Sequence, residues 1–211
     1  MRNGKAACVH NKSTGVAFLR RTTQKRMKGP GTRDGLVGRN NEERVFLGLG
    51  GNLGDPAAAM AAALRILDDD RRTRVAAVSS LYRTPPWGKT DQPDFINAVA
   101  ELRTGHPPKA LLALCLDAER SLKRERRERW GPRIIDIDIL LYGERAVHEA
   151  GLDIPHPRML DRAFVLAPLA EIAPDLKIGG KTVAGRLAAL DLTGIVKLDS
   201  GRYWWTDGAG R

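Results

Sequence analysis

The feature that most constrains the fold is the order in which strand-like and helix-like patterns follow one another along the chain. Short apolar runs typical of strands lie on either side of two segments whose apolar residues recur at helical spacing. The order is strand, helix, strand, strand, helix, strand, over residues 45–50, 57–67, 74–83, 95–102, 109–122 and 134–141. This order is typical of an α+β ferredoxin-like sandwich (split βαβ), in which helices pack on a mainly antiparallel sheet.

Local signals indicate where the helices begin and end. Asp55 is placed to cap the first helix, and Pro56 suits its first turn because no amide hydrogen is needed there. Beyond the sixth segment, apolar spacing predicts a third helix over residues 161–172 and a short helix over residues 183–190.

Positive charge is concentrated ahead of the predicted sheet. The formal net charge is +10, yet residues 1–44 hold 11 Lys and Arg against 3 Asp and Glu, and residues 45–211 hold 24 against 22. We expect a basic, disordered extension over residues 1–44, one domain over 45–198 and a C-terminal tail over 199–211. The extension is also rich in arginine and poor in acids, so an organellar targeting segment is an alternative interpretation.

Composition excludes a wholly disordered chain and a membrane-spanning one. Apolar residues make up 42% of the chain, which is enough for a core, and no apolar run approaches the ~18 residues that cross a bilayer. Cys8 and Cys115 are too few for a disulfide framework or a metal cluster. We therefore expect a monomer in the reducing cytoplasm, without membrane contact.

Asp136 and Asp138 are the strongest local signal of chemistry. Residues two apart on a strand share one face, so both carboxylates point to one side while the neighbouring isoleucines point to the other. Paired carboxylates on a rigid strand suit Mg²⁺, whose remaining ligands are substrate phosphates and water. An ordinary strand with a solvated acidic face is the alternative, and the neighbouring residues argue against it.

Those neighbours are strongly basic. Residues 120–133 carry seven Lys and Arg against two Glu, directly before the aspartate pair. Downstream, His156 lies between two prolines and is followed by Arg158 and Arg162. Arginine forks orient phosphates and neutralise developing charge, while Mg²⁺ on carboxylates bridges them, so the two signs together favour polyphosphate chemistry.

Four stretches resemble the 6-hydroxymethyl-7,8-dihydropterin pyrophosphokinase family of folate biosynthesis. They are residues 48–54 (GLGGNLG), 84–97 (TPPWGKTDQPDFIN), 129–138 (RWGPRIIDID) and 154–164 (IPHPRMLDRAF). The resemblance covers about residues 45–176. It implies a ferredoxin-like fold and a kinase-type transferase in which the pterin hydroxyl attacks the β-phosphorus of ATP in line and AMP is released.

The resemblance also assigns roles to individual residues. The pterin side would comprise Gly50, Thr84, Trp87, Phe95, Asn97 and Phe164, with the two phenylalanines stacking on the ring. The ATP side would comprise Glu119, Trp130, Ile139, His156 and Arg162. The catalytic set would be Arg124, Arg126, Arg133, Asp136 and Asp138, with two Mg²⁺ ions on the two aspartates. Residues 123–129 are expected to close over ATP as a lid.

Three positions depart from the family pattern. Gly51 replaces the usual serine, Lys123 replaces a glycine in the arginine loop, and Trp87 replaces a commonly aliphatic residue. Lys123 bears on the flexibility of the lid, and Trp87 bears on the shape of the pterin pocket. None of the three is itself a lost phosphate or metal ligand.

A ferredoxin-like nucleic-acid-binding module is the alternative function, since such modules share the fold and have basic flanks. They stack bases on aromatic residues of the central strands, whereas residues 134–141 present carboxylates that repel phosphate unless a metal intervenes. We therefore do not expect the body to bind nucleic acid. A catalytically silent homologue is the third possibility, and the retained aspartates and arginines argue against it.

Overall fold

The main sheet is antiparallel, and its strands follow the order predicted from the sequence. The computed structural model describes residues 42–86, 91–122, 132–201 and 203–206. The strands in these ranges are β1 (Glu43–Gly51), β2 (Thr73–Val78), β3 (Tyr82–Thr84), β4 (Phe95–Thr104), β5 (Asp136–Tyr142), β6 (Val147–Glu149), β7 (Leu152–Ile154), β8 (Lys177–Ile178), β9 (Lys181–Thr182) and β10 (Val196–Lys197). The helices are α1 (Pro56–Asp68), α2 (Pro108–Ser121), α3 (Ala163–Ile172) and α4 (Val183–Leu187), with a 3-10 turn at Met159–Asp161.

The sheet topology confirms the ferredoxin-like prediction. The strand order is β10-β3-β4-β1-β5, and β2 also pairs with β4, beyond the end of β3. β4 thus lies between β1 and the β2–β3 pair, which is the inserted strand of a split βαβ arrangement. β5 forms one edge of the sheet and the short β10 forms the other.

Helices α1 and α2 cover one face of the sheet. Asp55 caps α1 as predicted, because its Oδ1 accepts a hydrogen bond from the amide of Ala58 at 3.0 Å. Buried residues recur at helical spacing in both helices, so each presents an apolar stripe to the sheet. The stripes are Met60, Leu64 and Leu67 in α1, and Leu111, Cys115 and Ala118 in α2; they share one core with Val45, Leu47 and Leu49 of β1.

Helix α3 covers part of the opposite face and leaves the rest open. Phe46 of β1, Val99 of β4 and Leu140 of β5 form a second apolar cluster with buried residues of α3. Because side chains alternate along a strand, Gly48 and Gly50 lie on the same face as Phe46. Without side chains at these two positions, the backbone of β1 forms an open floor next to α3.

The prediction of a single strand over residues 74–83 is wrong, because β2 and β3 are separate strands. At the break, the hydroxyl of Ser79 accepts the amide of Val99 at 3.0 Å, while the Ser79 amide donates to the Val99 carbonyl at 2.9 Å. A side-chain oxygen therefore replaces one backbone partner of the ladder. The carbonyl of Ser79 is instead turned to the indole Nε1 of Trp204, at 2.9 Å.

Two other predicted boundaries move for local reasons. β5 begins at Asp136 rather than at residue 134, because the carbonyl of Arg133 accepts the amides of Asn52 and Leu53 at 2.9 and 3.1 Å. That contact ties the approach to β5 to the loop after β1. The third helix is preceded by the 3-10 turn and begins at Ala163, and the short helix ends at Leu187.

The described residues after 198 lie against the body of the protein. The Leu198 amide bonds to the Leu81 carbonyl at 2.8 Å, and Arg65 of α1 donates to the Trp205 carbonyl at 3.1 Å. At the other end, β1 begins two residues before the predicted domain boundary, and residues 1–41 lie outside the described ranges. None of the described helices is long and apolar enough to span a membrane.

Candidate active site

A cleft of about 240 Å³ opens above the glycine floor of β1, beside the first turn of α3. Strands β1, β4 and β5 form its base, the end of β3 and the start of α3 form its sides, and the segment after β7 closes one end. The lining residues that the sequence predicts for the site are Gly50, Thr84, Phe95, Asn97, Arg133, Asp136, Asp138, His156, Arg162 and Phe164. The fold therefore brings residues separated by more than 110 positions into one cavity.

The charged half of the cleft is built on β5. Asp136 and Asp138 both face the cavity, while Ile137 and Ile139 are buried on the opposite side, which confirms the predicted alternation. Desolvation in the cleft and the neighbouring charge of Asp136 raise the pKa of Asp138 to about 6. Its side chain still opens onto solvent, so we expect water to moderate this shift. Two carboxylates in contact with one cavity are an unfavourable pair unless cations neutralise them.

Arg133 joins the charged half to the aromatic part of the cleft. Its guanidinium forms an ion pair with Asp136 and also lies 5.4 Å from the ring centroid of Phe95. Among the described residues, its buried Nε has no hydrogen-bond partner. A buried guanidinium N–H that still needs an acceptor is suited to an anionic ligand, such as a phosphate oxygen.

His156 is positioned as a hydrogen-bond donor. Its backbone amide bonds to the Leu140 carbonyl of β5 at 2.9 Å, which fixes the turn beside the aspartates. Its Nδ1 accepts the amide of Arg158 at 3.2 Å, so a neutral ring carries its proton on Nε2. Burial and the nearby charge of Arg162 lower the pKa of His156, which favours this neutral form.

The other half of the cleft is neutral and internally bonded. Phe95 and Phe164 come from β4 and from the first turn of α3, and Arg162 lies 5.5 Å from the centroid of the Phe164 ring. The amide of Asn97 donates to the hydroxyl of Thr84 at 2.8 Å, and both side chains are buried. Aromatic rings together with one oriented amide are suited to a flat heterocycle with hydrogen-bonding edges.

Comparison with known proteins identifies the family. Residues 46–174 match the family model described as 7,8-dihydro-6-hydroxymethylpterin-pyrophosphokinase (HPPK). The chain belongs to the HPPK family. A 2-amino-4-hydroxy-6-hydroxymethyldihydropteridine pyrophosphokinase of Methylorubrum extorquens is 51% identical over 156 residues, which are 74% of this chain and 99% of the relative. The enzyme of the same name from Pseudomonas aeruginosa is 44% identical over 157 residues, which are 74% of this chain and 97% of that one.

Solved structures agree on the fold of the HPPK family. The crystal structure of wild-type Plasmodium falciparum HPPK-DHPS with STZ-DHP matches with a TM-score of 0.57 at 16% identity. The match covers 70% of this chain and 43% of that one, so the present chain spans less than half of the longer protein. At this identity the likeness supports the fold alone.

Two residues assigned to ATP by the HPPK resemblance have side chains away from the cleft. Glu119 of α2 is 1% exposed, and its Oε1 accepts the amide of Ile137 at 2.7 Å, which links α2 to β5. Ile139 is 4% exposed and lies in the core beneath the sheet. Their roles in ATP binding stay predictions. Trp87, Arg124, Arg126 and Trp130 lie outside the described residues, as does the predicted lid over 123–129.

Asn52 does not line the cleft but supports the segments around it, a role that was not predicted from the sequence. Its Nδ2 donates to Oε1 of Gln92 at 3.2 Å and to the Pro93 carbonyl at 3.1 Å, and its Oδ1 accepts the Arg133 amide at 2.9 Å. One buried amide thus holds three loops around the cleft. The available signal was a polar residue directly after a buried strand, in a glycine-rich loop, but its partners are distant in sequence.

Proposed function

We propose that this cleft transfers pyrophosphate from ATP to 6-hydroxymethyl-7,8-dihydropterin, giving AMP and the pterin diphosphate, a step of tetrahydrofolate biosynthesis. Membership of the HPPK family and the names of the similar proteins support this activity. The observation that carries it is the division of one cavity into an aromatic, amide-bearing half and a half with paired carboxylates and arginines. These halves suit a flat pterin and a polyphosphate, respectively.

The pterin binds in the neutral half. Phe95 and Phe164 stack against its ring, and Asn97 and Thr84 meet its polar edge. Gly50 lies beneath the proposed ring position. A side chain there would crowd the site, because its Cβ would lie 2.9 Å from Oδ1 of Asn97. The floor of bare backbone lets a planar ring approach β1 closely.

Mg²⁺ is the proposed cofactor, with two ions expected, and the residues present fit it. Asp136 and Asp138 provide hard oxygen ligands on a rigid strand, and among the described residues no cluster of three or more metal-binding side chains occurs. Such a site leaves coordination positions for substrate phosphates, which is how Mg²⁺ is usually held in phosphate-transferring enzymes. Held by Asp136 and Asp138, Mg²⁺ would supply positive charge against the negative charge of the phosphates.

The side chains of the charged half hold the phosphates for in-line transfer. The pterin hydroxyl oxygen forms a bond to the β-phosphorus and gives up its proton to water, while the bond from that phosphorus to the oxygen shared with the α-phosphate breaks. AMP leaves with that oxygen. Arg133 and Arg162 neutralise negative charge on the phosphate oxygens, and His156 donates from Nε2. With its Nδ1 already accepting a hydrogen bond, His156 acts as a donor rather than as a base.

Residues outside the described ranges complete the proposal. Arg124 and Arg126 bind ATP as part of a lid over residues 123–129, Trp130 binds ATP next to that lid, and Trp87 borders the pterin. The proposal includes a monomeric, cytoplasmic protein with a domain over 45–198, an extension over 1–44 and a tail over 199–211. Deletion of residues 1–41, which leaves β1 whole from Glu43 onward, should leave the melting temperature and the rate nearly unchanged, as thermal unfolding and the AMP assay can show. A large loss of either would refute these boundaries.

The test of the activity is direct. Purified protein is incubated with Mg²⁺, ATP and the reduced pterin alcohol, and AMP is followed with time. We expect AMP and pterin diphosphate in equal amounts. Folded protein that yields no AMP above a control without pterin would overturn the proposed function.

A further inference from the structure

Glu171, near the end of α3, is the centre of a hydrogen-bonded cluster outside the cleft. Its carboxylate accepts the amide and the hydroxyl of Ser80 at 3.1 and 2.9 Å, and the hydroxyl of Tyr82 at 2.9 Å. The ammonium of Lys197 on β10 lies 3.1 Å away. We call these four residues, Ser80, Tyr82, Glu171 and Lys197, the Glu171 junction. It connects α3 to the segment before β3, to β3 itself and to β10.

The junction connects α3 and β3, which form opposite sides of the neutral half of the cleft. Because the pterin is proposed to bind there, we call it the pterin half. Glu171 follows Phe164 by seven residues, which is close to two helical turns, so both side chains lie on nearly the same side of α3. Tyr82 precedes Thr84 by two residues, so both side chains lie on the same side of β3. In the register of the sheet, Thr84 is paired with Phe95. A shift of α3 relative to β3 would therefore change the spacing between Phe164 and the Thr84–Phe95 pair.

β3 needs such a support because little else holds it. The strand has three residues, it follows the break at Ser79, and its outer partner β10 has only two. A three-residue strand whose outer neighbour is a two-residue edge strand has few ladder hydrogen bonds to resist displacement. The junction adds four polar contacts at this place.

The charges and burial at the junction agree with an ordered cluster. Glu171 is partly shielded from solvent, and hydrogen bonds from Ser80, Tyr82 and Lys197 outweigh its desolvation, which lowers its pKa. Burial and the adjacent carboxylate raise the pKa of Tyr82, so its hydroxyl stays a donor. A carboxylate with several aligned donors is held more firmly than an isolated surface ion pair.

We propose that Glu171 is a positioning residue that sets the spacing of the pterin half of the cleft without touching either substrate. The inference rests on the proposed function, because it assigns the pterin to that half. The charged half is built on β5, at the far side of β4 and β1 from β3. Loss of the junction should therefore weaken pterin binding more than ATP binding, because Asp136 and Asp138 lie on β5 while Arg162 directly precedes α3.

The test uses Glu171→Gln, which keeps the shape of the side chain but removes its charge and one acceptor oxygen. We expect KM for the pterin to rise on the order of fivefold to tenfold, with KM for ATP within about twofold of the wild type. Tyr82→Phe removes one donor and should give a smaller shift in the same direction. Combined with Glu171→Gln it should add little, because both changes break the same contact.

Thr104→Val is the matched control. It breaks the buried hydroxyl pair of Thr73 and Thr104, 2.8 Å apart at the far end of β2 and β4, and so lowers stability without reaching the junction. We expect its two KM values to keep the wild-type ratio. A pterin-selective effect in this variant, or equal rises of both KM values in Glu171→Gln, would overturn the inference. If the wild type itself makes no AMP, the proposed function fails, whereas an active wild type with an unaltered Glu171→Gln variant refutes only the role of Glu171.

Discussion

The two halves of the cleft differ in how far the folded chain satisfies its own polar groups. In the pterin half, Asn97 and Thr84 are hydrogen-bonded to each other and buried. In the charged half, Asp136 and Asp138 repel each other, and Arg133 contacts both Asp136 and the Phe95 ring. Folding alone thus completes the first half, whereas the second gains its stability from ligands of the right charge. Substitutions in the two halves should accordingly affect different steps.

The largest effect is expected from Asp138→Ala, which removes half of the carboxylate pair. Turnover should fall by about 10³-fold, since electrostatic stabilisation of the transferred phosphate depends on this pair. The fold should remain, because Asp138 contributes no apolar packing. Steady-state AMP release and thermal unfolding measure the two quantities. Asp153→Ala, which removes an exposed carboxylate on β7, is the control and should keep the wild-type rate; near-normal turnover in Asp138→Ala would refute the metal assignment.

Arg133→Lys tests the residue that belongs to both halves. Lysine keeps the charge but loses the planar fork that meets Asp136 and lies over Phe95. We expect kcat/KM to fall by roughly 10²-fold, with KM raised for both substrates. Initial rates at varied ATP and varied pterin separate the two contributions. A change confined to one substrate would show that Arg133 serves only one half.

Asn97→Ala tests the pterin half alone. The variant loses the amide that is proposed to meet the pterin edge and leaves the Thr84 hydroxyl without its partner. KM for the pterin should rise about tenfold, while KM for ATP should not change. The same two-substrate kinetics provide the measurement. An equal loss for ATP would mean that the halves are not independent.

The smallest effect concerns stability and pH in the absence of Mg²⁺. Because the folded protein raises the pKa of Asp138 to about 6, its ionised form subtracts stability above that pH and subtracts none below the ordinary value of 3.8. Asp138→Asn should therefore be more stable than the wild type at pH 7.5, by on the order of 1 kcal/mol once solvent exposure is allowed for. The difference should shrink by pH 4.5. Urea unfolding at the two pH values measures it, and an advantage independent of pH would contradict the assignment.

The sequence predicted what depends on local periodicity. The strand and helix order, the cap at Asp55 and the shared face of Asp136 and Asp138 all follow from spacing within about ten residues, and the structure confirms them. It did not predict the break at Ser79 or the bonds of Asn52. Both depend on partners 20 to 125 positions away, which a single sequence does not reveal.

The sequence also did not fully predict which side chains face the cleft and which are buried in the core. Phe95 and Phe164 line the cleft as the family resemblance implied, although without that resemblance both are most simply interpreted as core residues. Glu119 shows the opposite case. A carboxylate on an amphipathic helix is most simply a solvated group, yet this one is buried and accepts a backbone amide of β5. Each residue rotates the side chain by about 100° around the helix, so a shift of one position decides which face it occupies.

The glycine floor of β1 has a consequence for inhibitors of this protein. A planar compound lying on Gly48 and Gly50 contacts backbone atoms, which a substitution does not remove. Resistance at these two positions can therefore arise only when a substitution adds a side chain. A Cβ at Gly48 would lie 3.3 Å from Leu140, and one at Gly50 would lie 2.9 Å from the Asn97 oxygen. Either addition narrows the space that the proposed pterin site also uses, so we expect resistance at the floor to lower the enzyme's own activity.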